Sequence, residues 1–194
     1  MKLLLLNAEE VQRALPMSAA IEGMKAAFAQ LSAGEAQTPQ RTQLPVPEHG
    51  GISIFMPAYL PASEALAVKI VSVFPENVAR GMPSIHGVVI ALDPLTGIPV
   101  ALLEGGTLTA IRTGAGSGAA TDLLARQDSS VTAIIGSSVQ ARTQLEAVCT
   151  VRNIEEVRVY SRNRERAEAF AREMAGQGPV PDRIVVADSA DEAV

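Results

Sequence analysis

The sequence is short of the residues that build disulfides, metal centres and nucleic-acid interfaces, and each shortage removes a class of function. It holds one cysteine, Cys149, so no disulfide can form within the chain, and a reducing, cytoplasmic setting is the natural expectation. Packing on a helix is the role expected of that thiol. Its two histidines, His49 and His86, stand far apart, and no Cys/His spacing suggests a metal site. The formal net charge is −5, and no basic face appears outside the short cluster Arg162, Arg164 and Arg166. A nucleic-acid partner, which needs such a face, is therefore not expected. No apolar run is long enough for a membrane: Leu3 to Leu6 turns polar at Asn7, too soon even for a signal peptide. What is present is 47% hydrophobic and 19% charged residues over 194 positions, enough to build one large or two small globular domains.

The most informative stretch runs from Val131 to Arg162. Val131, Ala133, Ile134 and Ile135 form an uncharged run with the pattern of a strand buried on both faces of a parallel sheet. The turn Gly136-Ser137-Ser138-Val139-Gln140-Ala141 follows and opens a segment with Val139, Leu145, Val148 and Cys149 at helical spacing. Val157, Val159 and Tyr160 then alternate as a second strand. Strand, glycine turn, helix, strand is the first unit of a nucleotide-binding α/β domain. A dinucleotide pyrophosphate must reach the free N–H groups of a helix N-terminus, so the pattern G-x-G-x-x-G/A wants small residues. Gly136 and Ala141 satisfy it, whereas Ser138 stands in the second glycine slot. A turn that merely packs a helix is the alternative. At the end of the second strand, Ser161-Arg162 occupies the slot where an acid would select NAD, and no acid appears before Glu165. NADP(H) is therefore preferred and NAD(H) possible; the competing reading makes the three arginines the solvated start of a helix.

Earlier in the chain, Leu3 to Leu6 reads as a strand, Asn7 as a helix cap ahead of Glu9 and Glu10, and Ile21, Met24, Lys25, Phe28 and Leu31 as a helix stopped by Gly34. Residues 35 to 47, rich in Gln, Thr and Pro and including Arg41, cannot be a helix. Gly50 to Pro57, Ala65 to Phe74 and Ser84 to Leu92 read as strands. The turn Asp93-Pro94-Leu95-Thr96-Gly97 then leads to a hairpin partner at Ile98 to Glu104, which Gly105 and Gly106 break. Thr107 to Ala125, dense in Gly, Ala, Ser and Thr, reads as a closely packed helix. Two cations are anomalous. Lys69 shares a strand face with Val71 and Val73, and either snorkels out at an edge or meets an anion in a pocket. Arg112 is the helix's only charge before Asp122 and demands an anion, an internal acid being favoured over a substrate carboxylate.

Taken together, KIVSVFP from Lys69, GMPSIHGVV, LTGIPVALLEGGTLTAIRTGAGSGAA and IIGSSVQARTQLEAV make the chain resemble the ornithine cyclodeaminase and mu-crystallin family over nearly its whole length. The resemblance implies an α/β fold: an N-terminal α/β substrate and dimerisation domain, residues 1–118, followed by the first half of a Rossmann domain, residues 119–194. It implies a homodimer acting on a small-molecule imino or amino acid. By the same resemblance Arg41, Lys69 and Arg112 surround the substrate carboxylate, with Lys69 near the reacting carbon and Arg112 also at the cofactor. Ser84 lies close to the cofactor; Gly136, Ser138, Val139 and Gln140 form the pyrophosphate loop; Ser161 and Arg162 take the 2′ position.

Three departures shape the functional expectation. Cyclodeaminases of the family resemble one another in an acid two residues before the Met-Pro of the second strand, where this chain has Ile54, so cyclodeaminase chemistry is disfavoured. Ser138 replaces a loop glycine. Strand, helix, strand, helix and strand from Val131 onward make only one mononucleotide-binding half, so the chain reads as a truncated member. The expected activity is NADPH-dependent reduction of amino-acid-derived ketimines such as pyrroline-2-carboxylate. The alternatives are ornithine cyclodeaminase and a non-catalytic, crystallin-like NADPH-binding protein.

Overall fold

The computed structural model describes residues 2–194. The chain forms two compact units, one comprising residues up to Leu15 together with Ala26–Thr109, the other Pro16–Lys25 together with Ala110–Val194. The division falls between Thr109 and Ala110, near the expected 118/119, and the segment Pro16–Lys25 belongs to the later unit.

The first unit is built on a six-stranded mixed sheet. Strand β1 (Leu4–Leu6) leads into helix α1 (Ala8–Ala14), and Asn7 caps that helix reciprocally with Glu10, each side chain accepting the other's amide. Helix α2 (Met17–Ser32) ends ahead of Gly34, whose φ of 74° is the left-handed stop the sequence signals. Strands β2 (Thr42–Val46), β3 (Gly51–Leu60), β4 (Ala65–Val73), β5 (Ile85–Leu92) and β6 (Pro99–Glu104) follow, in the order β1-β6-β5-β4-β3-β2. All neighbours are antiparallel except β1 and β6, which run parallel. Pro45 is tolerated because β2 is an edge strand. The β5–β6 turn is held by Asp93, whose Oδ1 accepts from the amides of Leu95 and Thr96 and from the Thr96 hydroxyl.

Gly105 and Gly106 end β6, as expected, yet they also begin helix α3 (Gly105–Leu124). Glu104 makes this possible, its carboxylate accepting from the amides of Gly106 (2.6 Å) and Thr107 (2.7 Å). Burial pushes the Glu104 carboxyl up, but the Thr107 and Gly106 donors outweigh it and leave it below the usual carboxylate range. A Cβ on Gly105 would stand 2.5 Å from the Gly87 carbonyl carbon, so the first turn of α3 lies directly on β5. A glycine inside an apolar strand signals this kind of close approach.

The second unit holds a parallel sheet ordered β7-β8-β9, from β7 (Val131–Ile135), β8 (Glu156–Tyr160) and β9 (Ile184–Val186). Helices α4 (Val139–Val151), α5 (Arg164–Met174) and α6 (Ala190–Ala193) complete it. The expectation that the run at Val131 is buried on both faces is corrected: Val131 and Ile135 are exposed. The reason is topological. Within this chain β7 pairs on one side only, and the central strand is β8, whose Val157 and Val159 are fully buried with Leu145 and Phe170. Val139 is likewise exposed, so the packed face of α4 is Ala141, Leu145, Ala147 and Cys149. Burial pushes the Cys149 thiol up to about 11, consistent with a packing role.

The part of α3 in this unit lies close against its neighbours, with α4 backbone at Gly114 and an α2 side chain at Gly118. A Cβ on Gly114 would stand 2.3 Å from the Thr143 carbonyl oxygen, and one on Gly118 2.7 Å from Ile21 Cδ1. The C-terminal end of α3 is closed by Arg152, a nearly inaccessible cation that donates to the carbonyls of Thr121, Asp122, Ala125 and Arg126 and, at 3.1 Å, to the Asp122 carboxylate. Asp122 also accepts from Lys25 at 2.5 Å. Lys25 and then Arg152 hold its carboxyl below the usual range.

Two glycine substitutions test this packing by opposite signs. Gly23→Ala, on α2 with open space around the added methyl, should stabilise by up to about 1 kcal/mol through helix propensity. Gly114→Ala gains the same propensity but meets backbone that cannot rotate away, so urea unfolding should show a net loss of about 1–3 kcal/mol; equal gains at both sites would contradict the close approach. Arg152→Met should cost about 3 kcal/mol by the same assay, because carbonyls and a carboxylate lose a buried partner. Because Asp122 and Glu104 are held low in the folded chain, their stabilisation is full above the unfolded carboxylate range and is lost as pH falls through their folded values. The thermal midpoint should therefore stay level down to about pH 5 and drop below about pH 4, with Glu104→Gln flattening that drop.

Candidate functional site

The loop between β7 and α4 has the shape an anion needs. Gly136 sits at φ 112°, a conformation L side chains rarely adopt, and its amide donates to the Tyr160 carbonyl at 2.7 Å. This bond ties the loop to the end of β8. Ser137 Oγ donates to Ser161 Oγ at 3.2 Å, so the candidate pyrophosphate and 2′ segments are joined side chain to side chain. Ser138 is the N-cap of α4 with extended backbone, φ −85° and ψ −178°, which any residue adopts. The serine in the second glycine slot therefore imposes no backbone strain. Its side chain makes no capping bond, and the amides of Ser138, Val139 and Gln140 find no acceptor among the described residues. Gln140 Oε1 is buried without a hydrogen-bond partner among the described residues. Free amides at a helix start and an obligatory glycine together fit the pyrophosphate of a dinucleotide, whereas the Gln140 Oε1 calls for a donor, which a pyrophosphate does not supply.

At the end of β8 the three arginines separate by role. Asn163 caps α5 through the Arg166 amide, and Arg164 pairs with Glu168 and Asp188, so these belong to the helix start. Arg162 precedes the cap, is exposed, and has no ion-pair partner among the described residues. Its guanidinium is available to an outside anion.

The substrate candidates fall in both units. In the first, Lys69 is on β4, an interior strand between β3 and β5, which excludes the edge-snorkelling alternative. Its Nζ donates to Thr109 Oγ1 at 2.6 Å, and Thr109 Oγ1 donates in turn to the Gly105 carbonyl. The glycine contact between α3 and β5 is what brings that hydroxyl over the lysine's face of the sheet. Arg41 lies one residue before β2, beside an open hollow lined by Thr38, Pro39, Gln40, Arg41 and Gln43. Met56 is opposite Lys69 and shares its face of the sheet, whereas the pairing of β2 with β3 begins at Thr42, after Arg41. Ile54, opposite Val71, shares that face, which is apolar where an acid was sought. Ser84 precedes β5 and its carbonyl accepts from the Phe74 amide.

Arg112, in the second unit, corrects an expectation. It is exposed, and no internal acid pairs with it among the described residues, since Asp122 is engaged by Lys25 and Arg152. The buried cation of this helix end is Arg152, whose partners at the end of α3 lie 26 to 31 residues away and left no local signal. No group of three or more His, Cys, Asp or Glu residues able to hold a metal occurs among the described residues. No helix among them is long and apolar enough to cross a membrane.

Comparison with known proteins agrees with this architecture. The chain is 40% identical over 192 residues to a Delta(1)-pyrroline-2-carboxylate reductase of Bacillus cereus, covering 99% of this chain and 58% of that protein. It is 37% identical over 193 residues to the ketimine reductase mu-crystallin of Mus musculus, covering 97% and 60%. The structure of Thermococcus litoralis Delta(1)-pyrroline-2-carboxylate reductase in complex with NADH and L-proline superposes with a TM-score of 0.86 at 48% identity, covering 98% of this chain and 58% of that one. The chain thus spans somewhat more than half the length of the relatives it matches. Residues 1–194 match the Ornithine cyclodeaminase/mu-crystallin family throughout, and the chain belongs to that family.

Proposed function

We propose that this chain carries the substrate cations and the first nucleotide-binding half of an NAD(P)H-dependent reductase of amino-acid-derived ketimines, with pyrroline-2-carboxylate as the model substrate. The observation that carries the reading is the β7–α4 loop: a glycine at φ 112° followed by amides without acceptors, tied through Ser137 to Ser161. Support for the reaction class comes from the pyrroline-2-carboxylate and ketimine reductases the chain resembles at 37–48% identity.

A bound nicotinamide would supply the hydride. The chain's own residues would do the rest by binding and orientation. The loop amides would hold the pyrophosphate, with Ser84 near the cofactor. Ser161 and the unpaired Arg162 would take a 2′-phosphate, which favours NADPH; the relative solved with NADH makes NADH the measured alternative. Arg41, Lys69 and Arg112 would attract the substrate carboxylate. Lys69, oriented by Thr109, would hold or pass a proton at the imine nitrogen, keeping the adjacent carbon electron-poor. Ile54 favours this reading over a cyclodeaminase, because the Lys69 face lacks the carboxylate that would take up a substrate amine. Leu44 and Val88, open to solvent on one face of the first unit's sheet, support a homodimer.

Fluorescence titration with NADPH and NADH tests the cofactor assignment. Arg162→Ala should weaken NADPH at least about tenfold and NADH less than about twofold; equal loss for both would remove the 2′-phosphate role. Lys69→Ala should abolish pyrroline-2-carboxylate-dependent NADPH oxidation while leaving NADPH affinity within about twofold. Loss of both together would sink the lysine's assigned part.

A further inference from the structure

Arg142, on the second turn's edge of α4, makes more directed contacts with the β7–α4 loop than any residue of the loop itself. Its Nε and Nη2 form a fork on the Glu173 carboxylate at 2.7 and 2.5 Å. Its Nη1 donates to two successive loop carbonyls, Ser137 at 3.3 Å and Ser138 at 3.0 Å. The guanidinium carbon lies 5.5 Å from the centroid of the Phe170 ring, and Phe170 is fully buried. Three kinds of contact thus fix one planar group: a carboxylate fork, an aromatic face and a pair of peptide oxygens.

The consequence follows from peptide geometry. In a trans peptide the C=O and N–H of one unit point in opposite directions. The Ser137 carbonyl, drawn toward Arg142, therefore turns the Ser138 amide away from it, and the Ser138 carbonyl, which also accepts from the Ala141 amide at 3.0 Å in the first turn of α4, turns the Val139 amide the same way under the joint hold of the helix and Arg142. The same contacts hold the carbonyls' negative ends away from the side an anion would occupy. Glu173 neutralises the guanidinium, and Arg142's hydrogen bond keeps the Glu173 carboxyl below the usual range, so the pair persists through neutral pH. Arg142 in this arrangement is a strut, distinct from a phosphate ligand.

We propose that Arg142, braced by Glu173 and Phe170, is the positioning residue of the nucleotide loop, setting the direction of the Ser138 and Val139 amides for the pyrophosphate. This rests on the dinucleotide reading above. It agrees with the serine in the second glycine slot, whose extended backbone, φ −85° and ψ −178°, needs no glycine for conformation.

The test uses the 194-residue chain with Arg142→Lys, Arg142→Met and Glu173→Gln. Lysine retains the charge but cannot form the fork and reach both carbonyls at once. Backbone 15N relaxation without nucleotide should show order parameters of Ser138 and Val139 falling in both Arg142 variants, while those of Leu145 to Cys149 stay at wild-type values. NADPH and NADH affinity should both fall about tenfold or more in Arg142→Met and Arg142→Lys, and about threefold in Glu173→Gln, in which Phe170 and the carbonyls still hold the guanidinium. Loss of order along the whole of α4 would reduce Arg142 to a helix-packing residue and overturn the proposal. So would wild-type affinity for both dinucleotides in Arg142→Met. A wild-type chain that binds neither dinucleotide removes the nucleotide reading and the proposal with it, an outcome distinct from one in which wild type and variants bind alike.

Discussion

The second unit depends on how closely the backbone of α3 approaches that of α4. At Gly114 a single methyl would stand 2.3 Å from the Thr143 carbonyl oxygen, and at Gly118 the space is already filled by Ile21 of α2. The Gly114 contact holds α4 at Thr143, since its carbonyl cannot move by rotating a side chain. The far end of α3 is fixed by a different force, the buried Arg152 guanidinium that gathers its last carbonyls and the Asp122 carboxylate. Between them these contacts place the start of α4, and with it the loop at Gly136, on a rigid support.

In the first unit the equivalent constraint is the Gly87–Gly105 contact. It lets the first turn of α3 lie on the sheet and bring Thr109 to within 2.6 Å of Lys69. Lys69 stands between Met56 and Val89 on an interior strand. Its ammonium is oriented by a hydroxyl whose own proton is committed to a carbonyl. Glu104 completes the device by accepting from the Gly106 and Thr107 amides in the same first turn.

Much of this was legible in the sequence where the cause is local. Asn7 with Glu10, Gly34, the Asp93 turn, and the strand–turn–helix–strand order around Gly136 all depend on residues within a few positions of one another. The residues around the candidate site carried the family resemblance for the same reason: they form long contiguous motifs. What escaped depends on partners distant in the chain. An apolar run reads as doubly buried whether or not a neighbouring strand exists, so β7's exposure follows from sheet order alone. The pairing of Asp122 with Lys25 and Arg152, leaving Arg112 open, required three elements to meet. The fork of Arg142 on Glu173 spans 31 residues and had no local signature.

The proposed function stands or falls on whether a nicotinamide dinucleotide binds at the start of α4, with its loop set by Gly136 and its edge by Ser161 and Arg162. The measurement that tests it most directly is an amide chemical-shift titration of the 15N-labelled chain with NADPH. The account predicts saturable shifts concentrated at Ser138, Val139, Gln140 and Ser161–Arg162. Saturable shifts confined to other segments, or none at all with the chain folded, would contradict it.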